Sequence, residues 1–165
     1  MAIFKSFFMM LFFLFLSFTF DSQVVLVLNI FLPNNLVLSS HMSLIALLYF
    51  EKRFSNFGIY LIYLLFGLLI DGYYYHTFGL AVFLYPLLVY LVKKHSGLIL
   101  MTSTRFLMLL ALILIFEGGS YCLASIYGLT NYPINLEITN HLMQTLVFNS
   151  VLFLLTISIF NVVTE

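Results

Sequence analysis

The sequence predicts an all-α integral membrane protein, a bundle of six transmembrane helices with both termini in the cytoplasm, and three observations lead to it. Of the 165 residues, 64% are hydrophobic and only 7% are charged, whereas about a quarter of the residues in a soluble domain are charged. The apolar residues form successive runs, and a helix needs about 20 of them to cross a bilayer. The basic residues fall in alternate loops between these runs. A single domain, residues 1–165, takes up the whole chain and leaves no soluble catalytic module.

The first span is predicted at about residues 4–20. Lys5 before an apolar run is typical of a signal peptide, but no small-x-small cleavage site follows, which favours an uncleaved helix. The run 24–32 is too short to span, and Pro33-Asn34-Asn35 predicts a turn, so residues 21–40 are interpreted as an interfacial or re-entrant segment. The alternative, one span over 24–50, would place Pro33 and both asparagines in lipid, which is costly unless they face protein.

Five further spans are predicted at about 36–50, 57–70, 78–92, 106–127 and 141–163. The loops on one side of these spans then hold every base of the chain: Lys5, Lys52, Arg53, Lys93, Lys94 and Arg105. The opposite loops hold Asp21, Asp71 and Glu137 and no base. Because short cytoplasmic loops collect Lys and Arg, the basic side and both termini are expected in the cytoplasm.

Composition argues against several classes of function. The formal net charge is zero, so no nucleic-acid partner is expected. The single cysteine, Cys122, can form neither an internal disulfide nor a cysteine-based metal site. HExxH, a nucleophile elbow and a phosphate-binding glycine loop are all missing, so no enzyme, metal or cofactor is predicted. Trp is absent, and tyrosines, among them Tyr73–Tyr75, are expected to form the interfacial aromatic belt.

Asp71 is the first candidate for a functional residue. It lies in "FGLLIDGYYYHTFGL", residues 66–80, at the predicted outer end of span three. Ionisable residues at a membrane are functional candidates; the alternative is that Asp71 simply faces outer water beside Gly72, and position does not decide between them. Gly72 is predicted to stop the helix, while Gly67 and Gly79 are expected to permit close approach of helices.

Glu117 is the second candidate, because it falls near the middle of span five. An exposed carboxylate there costs about 2.5–3.5 kcal/mol, so Glu117 is expected to face protein or water or to be protonated. Beyond it Ser120, Ala124 and Gly128 recur every four residues, a spacing that lets helix backbones pack closely. Two readings stay open: packing inside the bundle, or a docking face for another transmembrane helix.

Polar residues in span six are expected to join helices. Thr145, Asn149 and Thr156 lie at offsets of four and eleven residues, which places them on one helical face. Hydroxyls and amides in lipid usually hydrogen-bond between helices, at about 0.6 kcal/mol each. A substrate path along this face is the less favoured alternative.

The order of these features resembles the MreD family of rod shape-determining proteins. The resemblance is carried by five stretches within residues 40–94: "MSLIALLYF", the basic loop "EKRFSNFG", the span end "FGLLIDG", then "HTFGLAVF" and "YPLLVYLVKK". Six spans, cytoplasmic termini and a carboxylate in span five, here Glu117, also fit. The segments 21–40 and 128–140 offer nothing that matches.

This resemblance implies a non-enzymatic component of the machinery that inserts peptidoglycan along the sidewall of a bacterial cell. Family members reside in the cell membrane as multi-pass proteins, bind the single-span protein MreC and associate with RodA and a class-B penicillin-binding protein. In that role Asp71 would bond backbone amides or a partner's outer segment.

The family's fold also resembles the six-helix substrate-binding subunits of energy-coupling-factor vitamin transporters, which provides the alternative function. A vitamin-binding subunit would need an outer cavity, for which Asp71, Tyr73–Tyr75, His76 and Asn140 are the candidates.

Overall fold

The computed structural model describes residues 2–33, 36–99 and 101–164, and the side chains of 8–23, 26–33, 36–73, 76–99 and 101–160. Over these residues the chain is helical and contains no strand, which confirms the all-α prediction. The helices are α1 (Ala2–Thr19), α2 (Val25–Ile30), α3 (Met42–Phe50), α4 (Asn56–Ile70), α5 (Ala81–Lys94), α6 (Thr102–Ile126), α7 (Ile134–Glu137) and α8 (Met143–Thr164). Three π-helical turns, Phe20–Val24, Asp71–Tyr75 and Ile138–Leu142, adjoin these helices.

Four helical stretches in the described part of the chain are long and apolar enough to cross a membrane: Phe8–Ile30, Asn56–Tyr73, Thr102–Ile126 and Ile134–Phe160. They correspond to the first, third, fifth and sixth predicted spans. The second and fourth predicted spans contain only α3, with 9 residues, and α5, with 14. At about 1.5 Å per residue neither helix alone covers the roughly 30 Å of a hydrocarbon core.

The predicted boundary after residue 20 is wrong. The helix passes through the π-helical turn Phe20–Val24 and ends at Ile30, so Asp21 lies within a helix and not in a loop. Residues 21–30 of the interfacial or re-entrant segment predicted at 21–40 are therefore part of the first helix. The helix can hold the Asp21 carboxylate because its donors, the amides of Met42 and Ser43, are at the start of α3. The predicted turn residues Asn34 and Asn35 and the side chain of Lys5 lie outside the described residues.

The chain divides into two compact units. Unit 1 comprises Met1–Arg53 and Pro133–Glu165, and in it α1 and α8 pack on α3. Helix α1 runs antiparallel to α3, because Asp21 near its end contacts Met42 at the start of α3. Helix α8 runs parallel to α3: the Tyr49 ring near the end of α3 stacks on Phe160, at 5.1 Å between centroids. The first residues of α1 and the last of α8 thus lie at the same end of unit 1.

Unit 2, Phe54–Tyr132, packs α5 against both α4 and α6. A Cβ on Gly67 would lie 2.6 Å from the Val82 Cα, so α4 and α5 approach each other backbone to backbone. On the other side of α5, a Cβ on Gly119 would lie 2.7 Å from a Leu84 methyl carbon. The Tyr85 ring fills the space beside Phe116, with centroids 5.1 Å apart. The small residues of α4 and α6 therefore determine how closely α5 is held.

The bases of unit 2 lie together at one end. Helix α5 ends in Lys93 and Lys94, and the antiparallel α6 carries Arg105 in its first turn. The Lys93 ammonium donates to the Phe54 carbonyl just before α4, at 3.4 Å. Asp71 lies at the opposite end of α4, so basic and acidic residues separate along the unit as the sequence predicted.

Candidate functional site

Asp71 is buried and forms a cap on α5 from a different helix. Its Oδ1 accepts the Ala81 amide at 2.7 Å, and its Oδ2 accepts the Val82 amide at 3.1 Å and the Gly79 amide at 2.9 Å. The residue before α5, Leu80, makes no side-chain cap. The first amides of a helix have no partner within it, and a carboxylate also complements the positive end of the helix dipole. Asp71 is only 1% exposed, so the reading in which it faces outer water is wrong.

The glycines around Asp71 have different roles. Gly67 provides the close approach of α4 to α5, as predicted. Gly79 is buried and has φ +109°, a left-handed conformation in which it turns its amide toward Asp71. Gly72 does not stop the helix, because the π-helical turn runs on to Tyr75 and the chain leaves it at His76, with φ +48°. The Tyr73 side chain is 68% exposed; those of Tyr74 and Tyr75 are outside the part of the chain that the structure describes.

Asp21 makes a second cap of the same kind, which the sequence did not reveal. Its Oδ1 accepts the Met42 amide and the Ser40 hydroxyl, each at 2.6 Å, and its Oδ2 accepts the Ser43 amide at 2.8 Å. His41, the residue before α3, makes no side-chain cap of its own. A signal was available in the sequence: Ser17 precedes Asp21 by four residues, as Gly67 precedes Asp71.

Asn149 and Thr145 of α8 hold the chain that leads into α3. The Asn149 side chain accepts the His41 amide at 2.7 Å and donates to the Ser39 carbonyl at 2.8 Å. The Thr145 hydroxyl accepts the Ser39 amide at 3.0 Å. Both side chains are 0% exposed. These two side chains therefore join α8 to the non-helical residues Ser39 and His41 and not to another helix as expected, whereas the Thr156 hydroxyl donates within its own helix, to Leu152.

Residues 36–41 are not helical, so the span predicted at 36–50 is helical only from Met42. The side chain of Asn29 pairs with both backbone groups of Leu38, each at 3.0 Å, as a neighbouring strand would. The Val37 amide donates to the Asn140 carbonyl at 3.0 Å. Buried backbone amides and carbonyls need hydrogen-bond partners whether or not the chain is helical. Side chains of α2 and α8 supply those partners here.

Ser39, His141 and Glu137 are arranged in the order of a hydrolase triad. The Ser39 hydroxyl lies 2.9 Å from Nε2 of His141, and Nδ1 of the same ring lies 2.6 Å from a Glu137 carboxylate oxygen. Acyl transfer also needs amide donors for the developing oxyanion. The amides of Ser39 and His41 already donate to Thr145 and Asn149. The arrangement therefore supports positioning of the chain before α3.

Helix α6 carries Glu117 with a 7% exposed side chain, as expected for a carboxylate that faces protein. Ser120 and Ala124 are half-buried. Gly128 is not on the helix: it follows the cap residue with φ +69°, and the amides of Gly128 and Leu129 bond back to Ser125 and Ala124, the pattern of a Schellman ending. The predicted stripe is therefore wrong at Gly128.

No ligand site is assembled by these groups. The carboxylate of Asp71 accepts amides of its own chain at both oxygens, which disfavours its use as a vitamin ligand. Within residues 2–33, 36–99 and 101–164, no three His, Cys, Asp or Glu side chains converge to hold a metal ion.

Comparisons with known proteins identify one family and one relative. Residues 2–163 match the family described as rod shape-determining protein MreD. The chain is 33% identical over 147 residues to a protein of Streptococcus pneumoniae (strain ATCC BAA-255 / R6) named cell shape-determining protein MreD, which covers 88% of this chain and 86% of that protein. No solved structure matches the chain, so the expected likeness to transporter subunits stays a prediction.

Proposed function

This chain belongs to the MreD family of rod shape-determining proteins, and from that premise we propose that it is a non-enzymatic membrane scaffold of the cell-elongation machinery. It would bind MreC and associate with RodA and a class-B penicillin-binding protein during sidewall peptidoglycan synthesis. One observation carries the proposal: the polar side chains of Asp71, Asp21 and Asn149 all accept hydrogen bonds from backbone amides of the chain itself. Groups used in this way organise a framework, which supports a scaffold role.

A six-pass arrangement in a bacterial cell membrane is part of this proposal. Six non-helical residues, 36–41, extend at most about 20 Å, and the nine residues of α3 add about 13.5 Å. Together they reach the roughly 30 Å of a hydrocarbon core. The basic ends of the units would face the cytoplasm, with both termini on that side.

The exposed face of α6 is the best-supported docking surface for the transmembrane helix of MreC. Gly118 and Cys122 are exposed and four residues apart, a spacing that admits close helix approach. A Cβ on Gly118 would meet nothing within 4 Å, although a glycine inside a helix costs about 1 kcal/mol relative to alanine. Packing within unit 2 accounts for Gly119 but not for Gly118. The proposed docking surface therefore consists of Gly118 and Cys122, in place of the predicted stripe of Ser120, Ala124 and Gly128.

Cross-linking from Cys122 tests the docking surface directly, because it is the chain's single cysteine. Cysteines placed along the MreC transmembrane helix should form an adduct with Cys122 at positions spaced by three or four residues. A matched control moves the thiol to α8 as L155C in a C122S background, since Leu155 is also exposed, at 69%. Equal cross-linking from both positions would count against an α6 interface, and failure of mild-detergent purification to recover MreC at all would count against the scaffold.

A further inference from the structure

The two units contain the same local arrangement. In each, a π-helical turn that follows a long helix includes an aspartate, and that aspartate caps a shorter, antiparallel helix. In unit 1 these parts are α1, Asp21 and α3; in unit 2 they are α4, Asp71 and α5. The name aspartate-capped hairpin is used here for residues 17–50 and for residues 67–94.

The hydrogen bonds to the first two amides of each short helix correspond atom by atom, whereas the third donor binds Oδ1 of Asp21 but Oδ2 of Asp71. In both hairpins Oδ1 accepts the first amide of the short helix, from Met42 at 2.6 Å or Ala81 at 2.7 Å. In both, Oδ2 accepts the second, from Ser43 at 2.8 Å or Val82 at 3.1 Å. A third donor comes from two residues before the short helix. It is the Ser40 hydroxyl in one hairpin and the Gly79 amide in the other.

The packing corresponds as well. Four residues before each aspartate stands a small buried residue, Ser17 at 2% exposure and Gly67. One turn of helix separates the pair, so the small residue and the carboxylate face the same way. Each short helix is followed or closed by adjacent bases, Lys52 and Arg53 after α3 and a lysine pair at the end of α5.

The correspondence stops at the third helix of each unit. Helix α8 runs parallel to α3, whereas α6 runs antiparallel to α5. The segments between aspartate and short helix also differ in length, since the first amide of the short helix follows Asp21 by 21 residues and Asp71 by ten. What is repeated is therefore the hairpin and not the whole unit.

We propose that the chain carries the aspartate-capped hairpin twice and that Asp21 is a second positioning residue, which orients α3 for partner binding as Asp71 orients α5. The partner-binding part rests on the proposed scaffold function. The capping part stands on the hydrogen bonds alone and can be tested without a partner.

Amide hydrogen exchange on the purified full chain in nanodiscs tests the capping part. D21N removes one acceptor oxygen, and exchange at Met42 and Ser43 should rise about tenfold, as expected for loss of a hydrogen bond to a charged group. Exchange at Ala81 and Val82 should not change, and D71N should give the reverse pattern. T19A is the control, because the Thr19 hydroxyl is exposed and bonds only its own helix. Unchanged exchange at Met42 and Ser43 in D21N would overturn the inference.

Recovery of MreC separates positioning from mere stability. Equal amounts of folded D21N, D21E, T19A and wild-type chain, matched by size-exclusion chromatography, are used to pull down MreC. D21E keeps the charge but displaces the carboxylate by one methylene, so both D21N and D21E should recover several-fold less MreC than T19A. Full recovery by D21N would remove the positioning role even if exchange rises. If the wild type recovers none, the scaffold proposal fails and the exchange result still decides whether the hairpin is repeated.

Discussion

Replacing Asp71 by alanine should destabilise unit 2 more than most single changes do. The substitution leaves the amides of Gly79, Ala81 and Val82 without their acceptor in a site where the original side chain is 1% exposed. A buried donor that loses its partner costs about 1–3 kcal/mol. Three donors give a range of about 3–9 kcal/mol, and because entering water or a shifted turn can satisfy some of them, we expect a loss of about 3–5 kcal/mol in the free energy of unfolding.

The assay is equilibrium unfolding of the purified chain in mixed micelles of a mild detergent and sodium dodecyl sulfate, followed by circular dichroism. D71N is an informative intermediate, because its amide keeps one acceptor oxygen and should lose roughly half as much. Y73A is the matched control two residues away: the Tyr73 side chain is 68% exposed, and exposed substitutions usually change stability by no more than about 0.5 kcal/mol. If D71A unfolds within 1 kcal/mol of Y73A, as an order-of-magnitude threshold, Asp71 does not hold α5 in the way that its hydrogen bonds indicate.

Three other substitutions or additions have defined outcomes. Gly67→Ala should lower the free energy of unfolding by about 1–3 kcal/mol through overpacking, because its Cβ would lie 2.6 Å from the Val82 Cα. The control Gly72→Ala, whose Cβ would meet nothing within 4 Å, should be neutral or stabilising. Equal effects of the two substitutions in the same unfolding assay would contradict the close approach of α4 and α5. Asn149→Leu should lower the free energy of unfolding by about 2–4 kcal/mol, since it unpairs the His41 amide and the Ser39 carbonyl. The control Ser150→Ala loses only a hydrogen bond within its own helix. Hydrogen exchange at residues 39–43 should rise in the Asn149 variant and not in the control. Vitamins added in a thermal-shift screen should leave the melting temperature unchanged, whereas a nanomolar ligand at saturation would stabilise the chain by several kcal/mol and favour the transporter alternative.

The sequence was most informative where interacting residues lie close together in it. Asp71 and its donors are within eleven residues, and the glycines between and before them are visible as a pattern, so a structural corner could be expected there. Asp21 and its donors are 19–22 residues apart. The intervening loop has no recognisable period, and a carboxylate after an apolar run reads as the end of a span. Only the helix that it caps reveals its role.

Helix ends were the other source of error, for a local reason. Gly72 is a good helix-stop residue in isolation, but the π-helical turn runs through it and the left-handed residue is His76. Gly128 matched a four-residue packing period, yet it is the residue that closes α6. One glycine was read as an ending and the other as an interior residue. In each case the helix end is determined by which backbone amides bond the carbonyls of the last turn, and the spacing of side chains in the sequence does not show this.

The spacing of Asp21 from α3 also has a consequence for how the chain enters the bilayer. Translation adds about 5–20 residues per second, so the first amides of α3 follow Asp21 after one to a few seconds, while those of α5 follow Asp71 in about half that time. Until then each carboxylate would lack its donors, and for Asp21, which lies within the helical stretch Phe8–Ile30, exposure to lipid near a helix centre costs about 2.5–3.5 kcal/mol. Each long helix is therefore expected to wait at the translocon for its short partner and to enter the lipid together with it, as a pair.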